Sequence, residues 1–173
     1  DELQLLMNPV WHIHNSSVPK ENMIMPFSML LNLVEASNAE NKNILWKFVK
    51  KYKKDISEKE YPIFDQLVGY AIKYFKDVIK IQKKYKIPND EEKLALLALV
   101  KTLEKCNDEM SPEDIQTLIY STGKDNGYAE NLRDWFKLIY EVVLGDKNGP
   151  RLGFFISFFG VKETKDLIMN KIK

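Results

Sequence analysis

From Phe27 to Ile172 apolar residues return every three or four positions, and nowhere do they alternate with period two for long enough to make a sheet. This spacing predicts an all-α chain, a multi-helix bundle or cage of about eight helices joined by short turns. FSMLLNLVEA (27–36) reads as a buried helix. Leu45, Phe48, Val49 and Tyr52 form one helical face. A long helix over about 61–85 carries Val68, Ala71, Ile72, Phe75 and Ile79 inward. Asp90 to Cys106 follows, with Leu94, Leu97, Val100 and Leu103 inward.

Punctuation marks the remaining elements. Ser111-Pro112-Glu113-Asp114 joins a cap, a first-turn proline and two carboxylates at the positive dipole end, so a helix begins there and stops at Gly123. Another runs from about Tyr128 to Leu144, with Leu132, Phe136, Ile139 and Val143 inward. Gly149-Pro150 opens a short apolar helix that Gly160 closes. Lys162 to Ile172 makes the last, with Leu167, Ile168 and Ile172 inward. The expected division is an irregular connector over 1–27, a helical unit over 28–108 and a carboxy-terminal helical unit over 109–173. The chain opens on Asp1, which reads as a cut, with more protein expected before it.

Charge is distributed unevenly. The net charge is only +1, yet residues 47–86 carry +7 while residues 87–145 are acidic. A bipolar surface is expected, one side of it attractive to a polyanion. Lys47, Lys50, Lys51 and Lys54 make one lysine stripe, and Lys73, Lys76, Lys80 and Lys83 a second. Each stripe has two readings, a solvated helix face or a phosphate-binding row. Cys106 is the only cysteine, so no intrachain disulfide forms, and a reducing, cytoplasmic setting is expected. The longest apolar run, Leu152 to Val161, is too short to span a bilayer.

Catalytic and metal constellations are missing from the sequence. His12 and His14 would need further ligands, and their reading is structural, beside Trp11. Ser121-Thr122-Gly123-Lys124 has the wrong order for a phosphate loop and no strand before it. Glu91-Glu92 and Glu113-Asp114 sit where capping uses them. No catalytic residue, metal or resident cofactor is expected in this chain.

The two arginines, among 24 lysines, concentrate the interest in the last third. Arg133, Lys137 and Tyr140 stand at i, i+4 and i+7 and share one helix face. Arg151 stands at the mouth of the short apolar helix, where free N–H groups favour an anion. Tyr128, Tyr140 and Trp135 could offer stacking faces, with Trp135 either core or rim. Stacking, base-edge bonds and phosphate contacts together read single-stranded RNA. The competing reading pairs Arg151 with a carboxylate such as Glu141 or Asp146.

Three blocks, NPVWHIHN (8–15), FSMLLNLVEASNAENKNILWKFV (27–49) and YEVVLGDKNGPRLGFFISFFGVKET (140–164), resemble the carboxy-terminal region of class I lysyl-tRNA synthetases. The likeness runs over nearly the whole chain and is weaker in the middle helices. Two departures are Leu152, where phenylalanine is expected, and Ser16, near a usual glycine. The resemblance implies a helical cage that binds the anticodon arm of lysine tRNA. It implies an amino-terminal catalytic domain with HIGH and KMSKS motifs, neither of which occurs in this sequence, using ATP to join lysine to tRNA. The RNA-binding residues expected are Arg151, Arg133, Lys137, Tyr140, Trp135, Lys73, Lys76 and Lys80. A helical protein-interaction scaffold without RNA binding is the alternative.

Overall fold

The computed structural model describes residues 21–107 and 110–173, together with Met7; the His12–His14 pair lies outside the described residues. Eight helical stretches carry the described chain, and no described residue lies in a strand. Helix α1 (Phe27–Ser37) ends at Asn38, which turns into the left-handed region. Helix α2 (Lys42–Tyr52) is capped by the Asn41 side chain on the Ile44 N–H. Helix α3 (Pro62–Tyr74) starts on proline and continues through a π-helical turn (Phe75–Ile79) and a last turn (Lys80–Gln82). Helix α4 (Asp90–Leu103) opens on a reciprocal capping box between Asn89 and Glu92.

Helix α5 (Pro112–Gly123) starts at the expected Ser111 cap, which makes a reciprocal box with Asp114, and runs into a π-helical segment (Lys124–Tyr128). Gly127 there has φ 93°, a backbone that suits glycine. Helices α6 (Leu132–Val143), α7 (Leu152–Phe159) and α8 (Val161–Ile172) complete the chain. Gly160 is C-cap of α7 and N-cap of α8 at once, with φ 108°.

Helix α7 is the hub. It packs most extensively on α5 and also meets α1, α2 and α8. Leu152, Phe155, Ile156, Phe158 and Phe159 are all buried, so leucine fills position 152 without leaving it open. Phe159 stacks on Phe155 and meets Phe48 of α2. Each such side chain stabilises the fold by about 1.5–3 kcal/mol. The close approach of α7 to α5 needs Gly153, because a Cβ there would land on the Pro112 carbonyl oxygen. The core is one cluster that runs from Met25 to Ile172 and draws on both expected helical units.

One expected core position and one expected helix end are corrected. Leu94 is 66% exposed; α4 instead buries Ala95, Leu96, Leu99, Val100 and Leu103. The run LALLALV offers two helical stripes one residue apart, and packing on α5 and α8 selects the second. Helix α3 ends at Gln82, three residues before Tyr85, and Lys83 is extended. The spacing that put Lys83 in the outer lysine stripe therefore fails there. In α2, Leu45 and Val49 are buried and Phe48 packs on the core, while the Tyr52 side chain lies outside the described residues.

Candidate nucleic-acid interface

Helix α6 divides its surface sharply. Trp135, Leu138, Ile139, Val142 and Val143 are buried. On the other side Arg133, Lys137 and Tyr140 do share a face, and with Lys147 and Asn148 of the following loop they line a hollow of about 480 Å³. Arg133 makes no ion pair with a described residue, and Lys137 only reaches Glu141 at 4.0 Å. The hollow also carries Asp134, which accepts a 2.7 Å bond from the Asn131 side chain. Three cations against one carboxylate leave it positive.

Tyr140 holds the loop that completes this hollow. Its hydroxyl donates to the Pro150 carbonyl at 2.7 Å. Its ring lies so close to Gly149 that a Cβ there would overlap it. Burial, followed by the neighbouring Tyr120, pushes the phenol up to about 12, so it stays protonated and keeps donating. The ring borders the hollow while its hydroxyl serves the loop.

Trp135 is corrected to core. It is fully buried, its indole N–H donates to the Ile119 carbonyl at 3.0 Å, and its ring covers Gly123. No base can stack on it. Tyr128 packs against it with ring centroids 5.2 Å apart and is itself partly buried. The sequence left Trp135 undecided because two bulky aromatics, Trp135 and Phe136, compete for one inward position.

Arg151 is exposed and precedes α7 as its N-cap. Its partner is Glu113, 3.5 Å away, and not Glu141 or Asp146; both side chains are more than half exposed. The anion site expected at this helix mouth is also corrected. The Gly153 N–H is taken by the buried Gln116 side chain at 2.8 Å, so α5 fills the mouth. Arg151 borders a separate, more apolar hollow with Met25, Met29, Pro150 and Phe154.

Lys73, Lys76 and Lys80 are exposed on α3 and form no ion pair with a described residue. On α2, Lys50 pairs with Glu58 at 2.9 Å and Lys51 with Glu163 at 3.4 Å, which withdraws half of that stripe. Lys83 turns inward. It meets the nearly buried Glu35 at 2.8 Å and donates to the Leu144 carbonyl at 2.7 Å, which ties α1 and α3 to the end of α6. Burial pushes the Glu35 carboxyl above its ordinary range, against the pull of Lys83 and the Tyr85 hydroxyl. Lys147 is the site residue missed in the sequence. Its signal was a cation in the loop between Gly145 and Gly149, directly after the helix that carries Arg133 and Tyr140.

No group of three or more His, Cys, Asp or Glu among the described residues could hold a metal ion. No helix of the described residues is long and apolar enough to cross a membrane.

No family model and no solved structure matches the chain. Curated proteins do. The lysine–tRNA ligase of Rickettsia felis is 40% identical over 173 residues, covering 99% of this chain and 33% of that protein. The lysine–tRNA ligase of Roseobacter denitrificans is 42% identical over 168 residues, covering 97% of this chain and 32% of that protein. That of Rickettsia akari is 40% identical over 173 residues, again 99% of this chain and 32% of the relative. The chain thus spans about a third of the length of the curated relatives it matches. Along nearly its whole length, it is a relative of the lysine–tRNA ligases.

Proposed function

We propose that this chain recognises the anticodon arm of lysine tRNA as the carboxy-terminal part of a class I lysine–tRNA ligase. The whole enzyme would use ATP to form a lysyl-adenylate and pass lysine to the tRNA in the cytoplasm. ATP and the chemistry would belong to a catalytic domain elsewhere in that enzyme. The observation that carries this reading is the positive hollow on α6, which Arg133, Lys137 and Lys147 line together with Tyr140. Guanidinium and ammonium donors suit phosphates and base carbonyls, and an aromatic ring suits an unstacked base. Lys73, Lys76 and Lys80 add sequence-independent attraction for the tRNA backbone. Arg151 is a contact at the rim, beyond the loop that Tyr140 braces. A protein-interaction scaffold would place an apolar groove where this hollow is charged.

The test is a titration of the full chain with lysine tRNA and with an anticodon-swapped control. Arg133→Ala should weaken the lysine tRNA by about 1–3 kcal/mol and the control far less. Arg151→Ala should fold normally and weaken binding within the same range or below it. Equal affinity for both tRNAs, or an unchanged affinity in the Arg133 variant, contradicts the reading.

A further inference from the structure

A second and larger hollow, of about 720 Å³, lies between α1, the π-helical turn of α3 and residues 145–147. A π turn holds more residues than the 3.6 of an α turn, and it keeps Tyr74, Val78 and Gln82, four apart, on one wall. Tyr74 is 46% exposed and rests on Phe27 with ring centroids 6.4 Å apart. Asn32 lines the opposite side. Its side-chain amide donates to the Ser28 carbonyl at 2.8 Å, and its amide oxygen takes no bond from a described residue. Gln82 makes no side-chain hydrogen bond with a described residue.

The charges of this hollow compensate one another. Its lining sets Glu35, Glu141 and Asp146 against Lys83, Lys84 and Lys147, and Glu35 and Asp146 both face Lys83, at 2.8 and 3.7 Å. Lys84 and Lys147 remain without an ion pair to a described residue. A neutral compartment with one aromatic wall and two amides suits a nucleobase, whose edge offers donors and acceptors together, better than it suits a phosphate. Phosphate is drawn instead to the positive hollow on α6. Lys147 lines both.

We propose that the two hollows form one two-part site for consecutive unpaired ribonucleotides. One base enters the neutral hollow against Tyr74, within reach of Asn32 and Gln82, and Lys147 grips the phosphodiester that links it to the nucleotide in the α6 hollow. This inference rests on the RNA-binding reading above and assigns it residues that the sequence did not single out.

The experiment titrates the full chain with the lysine anticodon stem-loop and with stem-loops made abasic at one loop position at a time. Tyr74→Ala should weaken the intact loop about tenfold, the scale of one lost base–aromatic stack. Tyr74→Phe should bind like the original chain, which controls for the packing on Phe27. Gln82→Ala, at an exposed helix end, should weaken binding in the same direction. One abasic position should cost the original chain the same affinity and cost the Tyr74→Ala variant nothing further. Lys147→Met should lower the slope of log affinity against log salt by about 0.7, one single-strand phosphate contact. If Tyr74→Ala and every abasic position add independently, or if Lys147→Met leaves the salt slope unchanged, the two-part site is overturned while RNA binding stands. If the intact loop does not bind the original chain, both readings fall.

Discussion

Tyr140 is both wall and brace. Removing its hydroxyl leaves the Pro150 carbonyl without its 2.7 Å donor in a half-buried place. Tyr140→Phe should therefore cost about 0.5–1.5 kcal/mol in a urea titration. It should also weaken RNA binding by loosening the loop that carries Lys147, although the ring is retained. A loss of affinity without any loss of stability would contradict the bracing role. At Asp65, burial pushes the carboxyl up, but the Lys42 ammonium and the Trp46 indole N–H, 2.6 and 3.0 Å away, outweigh it and hold it below its ordinary 3.8. Stability from such a group is present above its unfolded value and is lost as pH falls through its folded value. The gap in urea midpoint between the original chain and Asp65→Asn should be open near about pH 7 and narrow as pH falls below the ordinary 3.8. A gap of constant size would mean that the carboxylate charge contributes nothing there. Arg151 shows what spacing cannot reveal at this scale. Its partner Glu113 lies 38 residues away, so only the packing of α7 on α5 brings the pair together.

At the scale of elements, a helix start with a side-chain cap is the most legible feature, because a cap is local chemistry. Ser111, Pro112 and Asp114 mark a start in the sequence, and Ser111 and Asp114 make a reciprocal capping box. Ser111→Ala should cost about 1 kcal/mol by chemical denaturation, and an unchanged midpoint would contradict the cap. Inner faces were less legible wherever a helix offers two apolar stripes. In α4 the choice of Leu96 and Leu99 over Leu94 belongs to its neighbours, not to its own spacing. The π-helical turn in α3 was invisible for the same reason, since no residue type specifies it. The site followed the same pattern. Arg133, Lys137 and Tyr140 were legible because helical spacing alone puts them on one face. Lys147 was not, because its position depends on a loop held from outside by Tyr140, Lys83 and Glu35. The approach of α7 to α5 gives the sharpest element-scale prediction. Gly153→Ala sets a side chain against the Pro112 carbonyl oxygen, an atom of the backbone that cannot rotate away. It should destabilise the fold by about 1–3 kcal/mol, read as a lowered urea midpoint.

At the scale of the whole molecule, one continuous core carries a surface on which Lys73, Lys76 and Lys80 of α3, Arg133 of α6 and Lys147 of the following loop make no ion pair with a described residue. Compensation elsewhere sharpens this contrast. Lys42, Lys50, Lys51 and Lys86 each face a carboxylate. A chain of net charge +1 can in this way still present local positive surface to a polyanion, as the proposed function requires. Affinity for lysine tRNA should fall steeply with salt, and replacing Lys73, Lys76 and Lys80 together by methionine should flatten that dependence for every tRNA alike. The most direct test of the central claim is the affinity of the full chain for the lysine anticodon stem-loop, with and without Arg133→Ala and Lys137→Ala combined. The account predicts that the pair of substitutions abolishes the preference for the lysine anticodon over a swapped one while the circular-dichroism spectrum and urea midpoint stay in place. A preference that survives both substitutions would contradict it.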